Sequence, residues 1–223
     1  MNRARIKIAA LAMIAMAAGM GAWAQGNSGK SAPPDVVAAT DISYPVNTAT
    51  TGMVSLWVSL DTSGSVQNIQ VAQDVPPLTA AAQASVQKWT FKAATWHGKS
   101  AATPFPVHVV FNPYNPGATS IGGGVKVPAA VPSNQVNFMP PQVREASYAF
   151  YPPNTQAEGT VVLSVSVDKS GHSSDIRVVR GTHPLTDAAV DVVKQWGFQP
   201  AMRDGAPAAG RLCIAFVFQR NLS

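Results

Sequence analysis

The chain has 223 residues and a formal charge of +5, and charged residues make up 12% of it against a usual value of about 25%. Arg3, Arg5 and Lys7 precede the uncharged run from Ile8 to Ala24, so the part beyond residue 24 carries only +2, with Lys and Arg scattered singly. That excludes the basic stripe of a nucleic-acid binder, and a single cysteine, Cys213, excludes an intramolecular disulfide.

In chain order, the first feature is a targeting signal. The cations of residues 3 to 7, the apolar run and the closing Ala22-Trp23-Ala24 match a signal peptide over 1–24, cut before Gln25. The expected site is the periplasm. The alternative is a retained signal anchor in the inner membrane, and at about 17 apolar or small residues the run lies at the short limit for spanning a bilayer. Residues 25–43 read as a short N-terminal segment.

A repeat then organises the chain. Tyr44-Pro45 recurs as Tyr151-Pro152, Gly52 as Gly159, Asp61-x-Ser63-Gly64 as Asp168-x-Ser170-Gly171, Pro77-Leu78-Thr79 as Pro184-Leu185-Thr186, Trp89-x-Phe91 as Trp196-x-Phe198, and Phe111 as Phe218, every pair 107 apart. A constant offset over roughly 70 residues defines a duplicated domain, not a solenoid turn. The expected domains are 44–112 and 151–223, with a linker rich in Pro and Gly over 113–150. An alternative for its end is that Val136 to Ala149 packs on the second copy.

Within each copy, Val54, Leu56, Val58 and Leu60, matched by Val161, Leu163, Val165 and Val167, alternate with period two, which predicts a half-buried strand. Asp61 and Asp168, each shortly before a glycine, read as turn residues of a hairpin rather than as metal ligands or catalytic acids. A return strand through Ile69 and Val71, or Ile176 and Val178, follows. Leu78, Ala81, Ala82, Val86 and Trp89 then switch to i, i+3, i+4 spacing, as do Leu185, Ala188, Ala189, Val193 and Trp196, predicting a helix. Thr79 and Thr186 are its expected N-caps, and the tryptophans its core anchors. A turn at Gly98 or Gly205 leads to a last strand through Val107, Val109 and Phe111, or Leu212, Ile214, Phe216 and Phe218.

The expected fold class is α+β: two tandem small domains, each a three-stranded antiparallel sheet with a helix on one face. The crossover rule puts the last strand beside the first, at the sheet edge, where free backbone groups invite pairing. Cys213 lies in an apolar run and reads as a small buried hydrophobe. His97, His108, His172 and His183 have no metal-ligand spacing, and no Ser-His-Asp or Cys-His arrangement is suggested. No enzyme, metal or cofactor is expected.

The pattern Tyr-Pro, Gly-x-Val-x-Leu/Val-x-Val, Asp-x-x-Gly, a helix ending Trp-x-Phe, a Gly turn and a terminal apolar strand ending in Phe resembles the C-terminal domain of the TonB family, twice. The second copy is closer, because Trp196-Gly197-Phe198-Gln199-Pro200-Ala201 keeps the Pro-Ala pair that the first copy lacks. The resemblance implies a periplasmic protein that binds extended segments, such as those of outer-membrane receptors, by β-strand addition. It implies a peptide-binding edge at Leu212, Ile214, Phe216 and Phe218, with Val107, Val109 and Phe111 as counterpart, and motif residues Tyr44, Pro45, Tyr151 and Pro152. Two alternatives stand beside this reading. One is a membrane-anchored energy transducer of TonB-dependent transport; the other is a scaffold whose edges pair with each other or with a second chain, as in a homo-oligomer.

Overall fold

The computed structural model describes residues 30–46, 48–114, 120–121 and 137–220. The signal peptide and most of the Gly-rich linker expected from the sequence lie outside these residues. The first repeat runs β1 (Asp35–Ala38), β2 (Gly52–Leu60), β3 (Val66–Gln73), α1 (Leu78–Val86), β4 (Thr90–Lys92), β5 (Ala94–Trp96), β6 (Lys99–Ala101) and β7 (Thr103–Pro113). The second runs β8 (Phe138–Met139), β9 (Gln142–Glu145), β10 (Gly159–Val167), β11 (Ser173–Arg180), α2 (Leu185–Val193), β12 (Gly197–Gln199), β13 (Ala201–Arg203), β14 (Ala206–Ala208) and β15 (Gly210–Gln219).

Each repeat builds the expected antiparallel triplet, β3-β2-β7 or β11-β10-β15, with its last strand beside its first. The Asp side chains close the hairpins as expected. Asp61 accepts the amides of Ser63 (2.8 Å) and Ser65 (2.9 Å), and Asp168 those of Ser170 (2.8 Å) and His172 (3.0 Å). These donors hold both carboxyls below the usual range, at Asp61 with the Ser63 hydroxyl as the largest cause and at Asp168 with the His172 amide. The turn glycines have positive φ, +90° at Gly64 and +83° at Gly171.

The helix start differs from the expectation. Pro77 and Pro184 occupy the N-cap positions, and Thr79 and Thr186 lie inside the first turn. Their hydroxyls accept amides from before the helix, Thr79 from Val75 and Thr186 from Thr182, both at 2.9 Å. They fix the entry of the chain rather than the free helix amides.

The edge expectation needs a larger correction. The two triplets join into one six-stranded sheet, β11-β10-β15-β7-β2-β3, in which β15 and β7 run parallel and hydrogen-bonded at the centre. Cys213 pairs with Val107 and Phe218 with Asn112, an offset of 106, one less than the repeat. The repeats are therefore related by a pseudo-twofold axis along the sheet, which puts their helices on opposite faces. Side-chain parity agrees: Leu212, Ile214, Phe216 and Phe218 pack in one core with α2, while Cys213, Ala215 and Val217 of the same strand pack in the other with α1. The physical reason is that an apolar edge with unpaired backbone groups is satisfied by an identical edge tethered to it.

The sequence also implied that the first strands would be half-buried, but β2 and β10 are buried on both faces. The cause is the second departure from expectation. The described residues within 25–43 and 113–150 are not merely spacer: β1 pairs with β4, β9 with β12, and β8 with β13, anchoring each stretch to its own repeat. From there each stretch crosses to the back of the other repeat's sheet. Ile42 donates its amide to Thr160 Oγ1 of the second repeat (2.9 Å), and Ala149 donates its amide to Asn112 Oδ1 of the first (2.8 Å). Val36 and Ile42 share a core with Val162, while Val143 and Ala149 share one with Met53 and Val110. The repeats exchange straps, and each strap hides the polar-looking face of its neighbour's strands.

Candidate functional site

The residues expected to form the peptide-binding edge lie in the middle of the molecule. Leu212, Ile214, Phe216, Phe218, Val107, Val109 and Phe111 are all buried. Their strands are paired on both sides, β15 with β10 and β7, and β7 with β2 and β15. Their side chains fill the two cores, and their backbone donors and acceptors are spent inside the sheet.

The motif tyrosines are structural links to those strands. The Tyr44 ring meets Phe111 edge-on at 5.2 Å, and the Tyr151 ring meets Phe218 edge-on at 5.6 Å. Each phenol donates to a carbonyl six residues on, Thr50 and Ala157. Burial and then Tyr148 push the Tyr44 phenol up to about 12, and burial also raises that of Tyr151. The prolines that follow, Pro45 and Pro152, are half-buried where each strap leads towards the first strand of its repeat.

Exposed backbone edges remain at the outside of the sheet, along β3 and β11. They are not alike. β11 carries Asp175, Arg177 and Arg180, whereas β3 reads Val66-Gln67-Asn68-Ile69-Gln70-Val71-Ala72-Gln73 without a charge. Val71 and its counterpart Val178 are exposed, at 39% and 42%. Natural edge strands discourage unwanted pairing by placing charges or proline along them, so β11 is guarded and β3 is open.

The charges that guard β11 also hold the first strap. Asp35, whose side chain is 17% exposed, receives Arg177 Nη2 at 2.7 Å, Arg211 Nη1 at 2.6 Å and the Ser164 hydroxyl at 2.6 Å. Arg180 pairs with Asp41. Sequence reading missed this network and the crossing of both straps, although its alternative that Val136 to Ala149 packs on the second copy agrees with the pairing of β8 and β9. The signal was present, because the 107-residue offset continues upstream of Tyr44: Pro33-Pro34-x-Val36 recurs as Pro140-Pro141-x-Val143, and Ala39 as Ala146.

Nothing in the site resembles catalytic machinery. Among the described residues no group of three His, Cys, Asp or Glu is placed to hold a metal. Burial raises the Cys213 thiol well above its ordinary range, as suits an inert core residue. His108, buried, shares a 2.9 Å hydrogen bond between Nδ1 and Ser55 Oγ, and desolvation lowers it to about 4.

The family model for the Gram-negative bacterial TonB protein C-terminal region matches twice, over residues 43–113 and 148–219. The chain belongs to the TonB C-terminal family. Both copies thus match the family, which is one of non-enzymatic transport-coupling proteins of the Gram-negative envelope. Similar proteins include tonB2 of Pseudomonas aeruginosa, 41% identical over 66 residues, covering 29% of this chain and 24% of that protein. TonB of Vibrio cholerae is 34% identical over 64 residues, covering 28% and 26%. TonB of Xanthomonas campestris pv. campestris is 28% identical over 95 residues, covering 42% and 40%. The matches thus span less than half the length of these curated relatives. No solved structure matches the chain. Among the described residues of this TonB-family chain, no helix is long and apolar enough to cross a membrane.

Proposed function

We propose that this protein is a periplasmic binding module of TonB type that captures extended segments of envelope proteins by β-strand addition at β3. The observation that carries the reading is the uncharged outer edge of β3, open where the last strands of both repeats are closed. A strand added there gains backbone hydrogen bonds from one side of the segment, and side chains at every second position set specificity. Outer-membrane receptors of TonB-dependent transport are the partner class that family membership favours. Export with cleavage before Gln25 fits this reading, whereas an energy transducer requires the N-terminus to remain in the inner membrane. Intact mass spectrometry of soluble and membrane fractions separates those two.

The binding reading is tested by hydrogen exchange with candidate receptor segments added. Protection should rise along Val66–Gln73 and be abolished by Val71→Lys, which charges the edge. Protection appearing instead at Val107–Phe111 or Leu212–Phe218 would place binding at the family's last strands and defeat the β3 assignment. The scaffold reading is favoured by the pairing of β7 with β15, and it expects no change in any strand with any segment.

A further inference from the structure

The repeats are similar in sequence but differ where they touch, and the differences are complementary. Across the pseudo-twofold, Arg203 of β13 stacks its guanidinium on the Trp96 ring of β5 at 4.5 Å, with the Phe138 ring at 5.5 Å. Positions 96 and 203 are equivalents, 107 apart. Equivalent positions can meet only on the axis itself, and there one repeat supplies an aromatic face and the other a cation, an attractive pair.

The same holds for the straps. Asp35 of the first strap meets Arg177, Arg211 and Ser164 of the second repeat. At offset 107 the counterparts are Gln142 for Asp35, and Gln70, Pro104 and Trp57 for its three partners. Among the described residues the second strap is seated without an ion pair to the first repeat, on a back face where Trp57 and Gln142 are both buried. Likewise Asp41 pairs with Arg180, while their counterparts are Tyr148 and Gln73.

We infer that the surface between the repeats is a heterospecific lock, in which the first repeat fits the second and neither fits another copy of itself. Two second repeats would set Arg203 against Arg203 and leave Arg177 and Arg211 facing Gln142. Two first repeats would set Trp96 against Trp96 and place the Asp35 carboxylate, mostly buried, against Trp57, Gln70 and Pro104 with no cation. Each self-pairing loses the cation–π contact and strands a charge, so repulsion and desolvation act against it as much as attraction favours the native pair. The chain is a fused heterodimer, and the last strands at its centre are reserved for each other.

The test uses the whole chain. Trp96→Arg recreates on the axis the contact of two second repeats, and Arg203→Trp that of two first repeats; both side chains are partly exposed, so neither change empties a core. Each single variant should lower the thermal midpoint by a few degrees, and Trp96→Arg combined with Arg203→Trp should recover most of that loss. Additive losses in the double variant would overturn the axis contact. A second measurement tests partner choice: chains cut within residues 115–136 by an inserted protease site, one isotope-labelled and one not, are mixed, unfolded in urea, refolded together and followed by native mass spectrometry. Pairs containing one first and one second repeat, exchanged or unexchanged, are expected. Pairs of two first or two second repeats at comparable abundance would overturn the lock.

Discussion

His108 shows how a single buried side chain makes the fold sensitive to pH. Its ring is buried against Ser55, its Nε2 has no hydrogen-bond partner, and desolvation brings its pKa down to about 4. A histidine that stays neutral when folded contributes stability that is fully present above its unfolded pKa, near 6.5, and is lost as pH falls towards the folded value. The difference corresponds to about 3 kcal/mol. Urea unfolding at pH 7 and pH 4 should show a loss of that order beyond what a His108→Leu chain shows; identical pH slopes in the two would mean that the ring is hydrated. The turn glycines give a second prediction at this scale. A Cβ on Gly64 would come within 2.5 Å of the Phe91 carbonyl oxygen, at a φ of +90°. Gly64→Ala should therefore cost about 2 kcal/mol, measured by the same unfolding. An unchanged midpoint would show that the hairpin relaxes away from β4. Asp61 and Gly64 were readable from the sequence because turn chemistry is local. The role of His108 was not, because its burial comes from residues far along the chain.

The strands and helices were legible wherever a short-range pattern encodes them. Period two in Val54 to Leu60 and i, i+3, i+4 spacing in Leu78 to Trp89 each reflect one buried face, and the structure places β2 and α1 there. What the pattern could not reveal was the second buried face. Ser55, Trp57 and Ser164 point to the other face of strands expected to be half-buried, yet all three are buried, and Ser164 donates to Asp35 of the opposite repeat's strap. The pairing of β7 with β15 was legible only as the scaffold alternative, because an apolar edge strand looks the same whether its partner is a foreign peptide or its own duplicate. The two straps lead to a prediction of unequal strength against salt. The first is held by Asp35 and Asp41, whereas the second is held by packing of Val143 and Ala149 with Met53 and Val110. Asp35→Asn should cost about 2 kcal/mol, because two guanidiniums lose their carboxylate, and should speed hydrogen exchange in β1 while leaving β9 unchanged. Equal loosening of both straps would mean that they open together and that the ion network does not set the difference.

Sheet continuity decides how the whole molecule unfolds. If the repeats were beads on a linker, each would melt by itself, and damage to one would leave the other intact. Here residues of each repeat fill the other's core. Val162, Cys213, Ala215 and Val217 pack with α1, and Met53 and Val110 pack with α2. Unfolding either repeat would expose the central strand of the survivor along β7 or β15 and uncover one full sheet face, so neither half is a stopping point. Calorimetry should therefore give one transition, with the calorimetric and van't Hoff enthalpies equal. Leu56→Ala in the first repeat, a fully buried side chain, should cost about 2–5 kcal/mol. The same free-energy loss should appear in the most protected amides of β10, although β10 belongs to the other repeat. Two resolved transitions, or β10 amides untouched by Leu56→Ala, would show that the repeats fold independently and that the central parallel pairing is a late, weak docking.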